Sequence, residues 1–166
     1  MFSEDGRELN EVVVGLLRER GLRLTLAESC TGGSVAACLT EVPGSSACFE
    51  RGYVTYSNES KVELLGVEPR QIESEGAVSE AVARSMAAGA MARAPADVGL
   101  GITGIAGPEG GTAQKPVGLV YVALEGAAGS RVRRLQLPGD RGQIRRRATQ
   151  AALEMLRRGL LALGSP

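Results

Sequence analysis

Leu9, Val12, Val13, Leu16 and Leu17 recur at helical intervals and the pattern stops at Gly21, which predicts a first amphipathic helix. The period then changes. "LRLTLAES" alternates apolar and polar residues as a strand does, and "CTGG" turns into a helical stretch through Val35, Ala36 and Leu39 that ends before Pro43. "RGYVTYS" reads as a second strand. "NESKVELLG" reads as a short helix, with Ser60 and Glu63 at capping-box spacing and Gly66 as its stop.

Ser79 is placed to cap an alanine-rich helix running toward Pro95, and "ADVGLGITGIAG" is an apolar strand that flows into a glycine-rich loop. "VGLVYVALEG" and "SRVRRLQLPG" predict a hairpin across Ala127 to Gly129. Asp140 and Gln143 then form a capping-box pattern for a last helix, with Ile144, Ala148, Ala151 and Met155 on its buried stripe. Strands alternating with helices predict an α/β fold, a three-layer α/β/α sandwich, and the terminal hairpin makes its β-sheet mixed. The 166 residues show no repeat, linker or low-complexity tract, so a single domain over 1–166 is expected.

Composition changes this picture in a few places. With 43% hydrophobic and 23% charged residues and a formal net charge of zero, the chain reads as an ordinary globular domain. No apolar run approaches the roughly 18 residues of a membrane span, and the polar start "MFSEDGRELNE" is unlike a signal peptide. Cys30, Cys38 and Cys48 are odd in number and lack metal-type spacing, which favours reduced thiols and a cytoplasmic setting. The chain has no histidine, so a Ser-His-Asp triad, a Cys-His dyad and a histidine zinc site are all excluded. Lys61 and Lys115 are the only lysines beside many arginines. A desolvated lysine can lose its proton and act as a base, which an arginine cannot do.

Four segments could carry chemistry. In "AESCTGGS", a strand ends in small polar residues and glycines before a helix, so the backbone amides around Ser29 to Gly33 could bind an anion or simply be capped. "PGSSACFERGYVTYSNESK" brings Ser45 and Ser46, Tyr56 and Lys61 into one span; a neutral lysine can serve a serine nucleophile where histidine is lacking. On this reading Tyr56 relays the proton or holds the lysine. "GITGIAGPEGG" packs glycines around Thr103 at the end of an apolar strand, where open α/β sheets bind ligands. "GDRGQ" sets Arg141 in a first helical turn, suited to a phosphate. The arginines between positions 131 and 158 lack interleaved aromatics, and the chain is neutral, so a nucleic-acid partner is not expected.

Together "TLAESCTGG", "GSSACFERGYVTYSNESK", "GAVSE", "GITGIAGPEGG", "KPVGLVYVAL" and "GDR" resemble the C-terminal domain of the competence/damage-inducible CinA proteins, over about residues 7 to 160. That family includes stand-alone nicotinamide-nucleotide amidohydrolases, which convert nicotinamide mononucleotide (NMN) to nicotinate mononucleotide and ammonia in pyridine nucleotide salvage. Longer members carry an N-terminal domain with pyrophosphatase activity. That activity is not expected of this chain, which starts at the deamidase-like region. The resemblance implies Ser46 and Lys61 as a catalytic pair, with Ser29 and then Ser45 as alternative nucleophiles and Tyr56 in support. It implies substrate contacts from Thr31, Gly32, Gly33, Ser45, Thr103, Gly104, Gly107 and Arg141. It implies no metal and no cofactor, a small nucleotide as partner with neither nucleic acid nor membrane, and a homo-oligomer such as a dimer. A non-catalytic nucleotide-binding module of the same fold is the alternative.

Overall fold

The computed structural model describes residues 6–164. Residues 1–5 of the polar N-terminal stretch and residues 165–166 lie outside the described residues. Eleven regular elements run in the order α1 (Leu9–Glu19), β1 (Leu24–Glu28), α2 (Ser34–Thr40), β2 (Phe49–Val54), α3 (Asn58–Leu65), α4 (Pro69–Glu75), α5 (Glu80–Ala92), β3 (Val98–Gly104), β4 (Leu119–Gly126), β5 (Arg131–Gln136) and α6 (Arg141–Leu161). A 3-10 turn, Ser45–Ala47, precedes β2.

One five-stranded sheet has the order β2-β1-β3-β4-β5. β1 pairs in parallel with both β2 and β3, and the β3–β4 and β4–β5 pairs are antiparallel, so the sheet is mixed. α1, α2 and α6 cover one face, where Leu24, Leu26, Leu100 and Ile102 join the main apolar core. α5, backed by α3 and α4, covers the other face. The α/β/α arrangement expected from the alternation is therefore the one observed.

Glycines in β3 set the distance between α5 and the sheet. A Cβ on Gly101 would stand 2.2 Å from the Ala83 carbonyl oxygen, and one on Gly99 would stand 2.7 Å from that of Ala87. Gly99 and Gly101 thus lie inside a strand and admit a helix backbone.

Local signals place most of the element ends. Ser79 accepts the Val82 amide at 3.3 Å, and Asp140 and Gln143 form their capping box at the start of α6. The cap of α3, however, is Ser57, which accepts the Ser60 amide at 3.0 Å, so the expected Ser60–Glu63 box gives way to a start one turn earlier. The buried stripe of α6 passes through Ala152 beside Ala148 and Met155, while Ala151 is half-buried. α4 carries no buried residue and no strong apolar period, and it escapes the sequence reading for that reason.

Candidate active site

The parallel strands β1, β2 and β3 end side by side at one edge of the sheet, and the polar residues gather there. Ser29 follows β1 directly, and its amide continues the ladder to the Ile102 carbonyl at 3.0 Å. Ser29 is buried, 8% exposed, and shares its surroundings with a fully internal lysine. Lys61 of α3 is 2% exposed and is among the largest buried side chains of the described residues. Its Nζ donates to the Thr55 carbonyl at 2.9 Å, to the Ser57 carbonyl at 3.3 Å and to Ser29 Oγ at 3.2 Å.

This geometry suits either protonation state. An ammonium has three N–H groups for the three acceptors. A neutral amine keeps two N–H bonds to the carbonyls and turns its lone pair toward Ser29, whose O–H then donates. Burial favours the neutral amine by disfavouring the charged form: it pulls Lys61 below its usual value, while Cys30 and Glu59 oppose the shift in part. Cys30 lies next in sequence to Ser29, but burial pushes its thiol up to about 12. It stays protonated and is a poor nucleophile near neutral pH.

Two arrangements differ from the sequence expectation. The Ser46–Lys61 pair does not form. Ser45 and Ser46 sit in the 3-10 turn that precedes β2, whereas Lys61 bonds to residues that follow it. The six residues of β2 carry the chain ~20 Å from one sheet edge to the other. Ser46 is exposed at the far edge, and Ser45 is buried there with its backbone bonded to Val42 and Cys48. Nearness in sequence misleads because the intervening residues are extended.

The second difference concerns the glycine turn. Gly33 (φ 91°) donates its amide to Glu28 Oε2 at 3.0 Å, and Gly32 (φ 59°) donates to the Ser29 carbonyl at 3.0 Å. Those two amides are taken and do not face a ligand. Among the described residues, the amides of Cys30 and Thr31 find no oxygen acceptor, that of Cys30 meeting only its own thiol, and they are the donors the turn leaves for another oxygen. Thr31 itself is wholly buried, with its carbonyl accepting Arg145 Nη2 at 2.8 Å.

The remaining expected residues line the same edge. Thr103 Oγ1 donates to the Ala77 carbonyl at 2.8 Å and fastens the segment entering α5. Gly104 packs on Cys30, since a Cβ there would lie 3.0 Å from its Sγ. Arg141, the first residue of α6, donates through Nη1 to the Gly107 carbonyl and through Nη2 to Tyr56 Oη, both at 2.8 Å. Tyr56 is 61% exposed. Its hydroxyl partner is Arg141 rather than Lys61 or Ser29, which sets it at the rim. A cavity of ≈510 Å³, lined by Val78, Ser79, Tyr121 and Lys115 among others, opens on the α5 side, where Tyr121 pairs with Thr103 across the sheet.

Sequence reading passed over Glu28 and Arg145. Glu28 is 1% exposed, and its carboxylate accepts amides from the start of α2. Its signal was a charged residue closing an apolar strand. Arg145 stands one helical turn after Arg141 and donates to the Ser29–Gly33 turn; only that spacing hinted at it. No group of three or more Cys, Asp or Glu side chains among the described residues is arranged to hold a metal ion. No helix among them is long and apolar enough to cross a membrane.

Comparison with known proteins gives a consistent result. The family model for the CinA C-terminal domain matches residues 6–160. A CinA-like protein of Geotalea uraniireducens is 51% identical over 165 residues, covering 99% of this chain and 39% of that protein. A putative competence-damage inducible protein of Acetivibrio thermocellus is 48% identical over 163 residues, covering 98% and 40%. The chain thus spans about two-fifths of the length of these curated relatives. Among solved structures, the competence/damage inducible protein CihA from Agrobacterium tumefaciens is 41% identical with a TM-score of 0.84, covering 94% of this chain and 96% of that one. A competence-damaged protein (CinA) superfamily protein from Escherichia coli is 34% identical with a TM-score of 0.89, covering 95% and 93%.

Proposed function

The chain belongs to the CinA C-terminal domain family, and from that premise we propose that it is a serine amidohydrolase that releases ammonia from NMN, with Ser29 as nucleophile and neutral Lys61 as base. The observation that carries this reading is the 3.2 Å contact between Lys61 Nζ and Ser29 Oγ in a buried setting.

The chemistry follows from the groups present. The pyridinium ring of NMN withdraws electrons from its carboxamide and makes that carbon electrophilic. Ser29 Oγ attacks the carbon while its proton passes to the Lys61 lone pair. Charge develops on the carboxamide oxygen, and the free amides of Cys30 and Thr31 are the donors that fit it. Lys61 returns the proton to the nitrogen, ammonia departs, and an acyl-serine ester remains. Water then attacks the ester with Lys61 again as base, giving nicotinate mononucleotide and free Ser29. A neutral lysine also avoids repulsion with the pyridinium cation. At the rim, Arg141 and Tyr56 suit the 5′-phosphate.

Ammonia release from NMN by wild type, Ser29→Ala and Ser46→Ala, all in EDTA, tests the reading. Wild-type and Ser46→Ala proteins should turn over, and Ser29→Ala should fall by about 1,000-fold or more. Loss confined to Ser46→Ala would overturn the nucleophile. NMN binding without wild-type turnover would favour a nucleotide-binding module.

A further inference from the structure

Glu28 is a buried carboxylate whose partners are all backbone amides. Oε2 accepts Gly33 N–H at 3.0 Å and Val35 N–H at 3.2 Å, and Oε1 accepts Ala36 N–H at 2.9 Å. Ordinary caps are short side chains next to the helix they serve, and each takes an amide or two. Glu28 instead lies in β1 and reaches over the Ser29–Gly33 turn to the amide of its last residue and two amides of the helix beyond it.

We propose that Glu28 is a positioning residue for the oxyanion site: by occupying the Gly33, Val35 and Ala36 amides it fixes the turn in the form that leaves the Cys30 and Thr31 amides for the reacting oxygen. The proposal rests on Ser29 being the nucleophile. The turn is held from its other side as well, by Arg145 on the Thr31 carbonyl at 2.8 Å. Glu28 therefore ties the strand that ends in the nucleophile to the helix that follows it. Without the carboxylate, the amides of residues 33, 35 and 36 would compete for the same developing charge or draw water into the turn. Preorganised donors matter in the transition state and hardly at all for ground-state binding, so the effect belongs in kcat.

Two variants test this. Glu28→Gln keeps the shape but turns one oxygen into an N–H donor, which meets an amide N–H on whichever side it faces. Glu28→Asp keeps the charge and withdraws it from the helix start. Each is compared with wild type, after a thermal melt shows it folded, by two readouts. One is NMN turnover across pH. The other is the rate at which a fluorophosphonate probe modifies Ser29, followed by intact mass and peptide mapping. In that reaction Ser29 Oγ bonds to phosphorus, fluoride leaves, and Lys61 takes the proton.

A folded variant should label and turn over about 10-fold or more slowly, with KM and the pH midpoint of turnover held at wild-type values. Wild-type rates in either folded variant would overturn the proposal. So would a loss expressed in KM or in a shifted pH midpoint, since those belong to binding or to Lys61. Labelling of Ser29 in wild-type protein that does not hydrolyse NMN would sink the substrate assignment, and the labelling rates would still decide Glu28. Absence of labelling at Ser29 in wild type would overturn both.

Discussion

Lys61 as the base makes a demand on stability as well as on activity, because a lysine held neutral by burial must change its proton count on unfolding. The perturbation is pH, read as the difference between wild type and Lys61→Met. The folded-state pKa lies below the ordinary value of 10.5, so over the window between the two the unfolded chain binds a proton that the folded chain lacks. Below the folded pKa the buried ammonium carries its full desolvation penalty. As pH rises through the folded pKa the penalty fades, and it is gone above 10.5.

Inside that window wild-type stability should climb relative to Lys61→Met by about 1.4 kcal/mol per pH unit, the limit for one proton. Cys30 acts in the opposite sense. Its pKa, raised from 9.0 to about 12, contributes stability below pH 9 that is lost as pH rises further. The Lys61 slope is therefore read below about pH 9, and the difference between the two proteins removes most of the thiol contribution. Urea unfolding at fixed pH steps measures it. The same folded-state pKa governs the acid limb of kcat/KM, which should fall tenfold per pH unit below its midpoint. The start of the stability climb and the midpoint of that limb must therefore agree. Parallel stability curves for the two proteins, or a separation of the two midpoints by more than about one unit, would refute Lys61 as the base.

Two further expectations concern residues outside the proton path. Arg141→Ala removes the bonds to Tyr56 and Gly107 at the rim, and it should raise KM for NMN about 10-fold or more while kcat changes little; nicotinamide riboside, which lacks the phosphate, should not sense the change, and equal losses on both compounds would reject a phosphate contact. Gly101→Ala drives a Cβ to 2.2 Å from the Ala83 carbonyl in a packed layer, and it should lower stability by about 1–3 kcal/mol in urea unfolding; an unchanged midpoint would mean that α5 can move away from the sheet without loss.

Much of the fold was legible from the sequence because its signals act over short distances. Helix and strand periods, the caps at Ser79 and Asp140, and the hairpin across Ala127 to Gly129 each depend on residues within a turn or two. Histidine's absence and the scarcity of lysine pointed to Lys61 as the group with unusual chemistry, and composition needs no coordinates. α4 was missed because its face toward α5 lacks an apolar stripe.

The pairing within the site was another matter. Ser46 lies fifteen positions from Lys61 and Ser29 lies thirty-two, so distance along the chain favoured Ser46, whereas the fold brings Ser29 to the lysine. An extended β2 separates the near serine from the lysine, while the parallel pairing of β1 with β2 sets Ser29 beside Thr55, whose carbonyl holds the lysine. The glycine turn posed a similar difficulty. Sequence shows that its amides need partners, yet only the fold reveals that Glu28 supplies them for Gly33 and the start of α2 and leaves those of Cys30 and Thr31 free. Sequence by itself determined which groups could do chemistry. Strand register and burial, which depend on the whole chain at once, determined which of them meet and which way burial pushes their protonation.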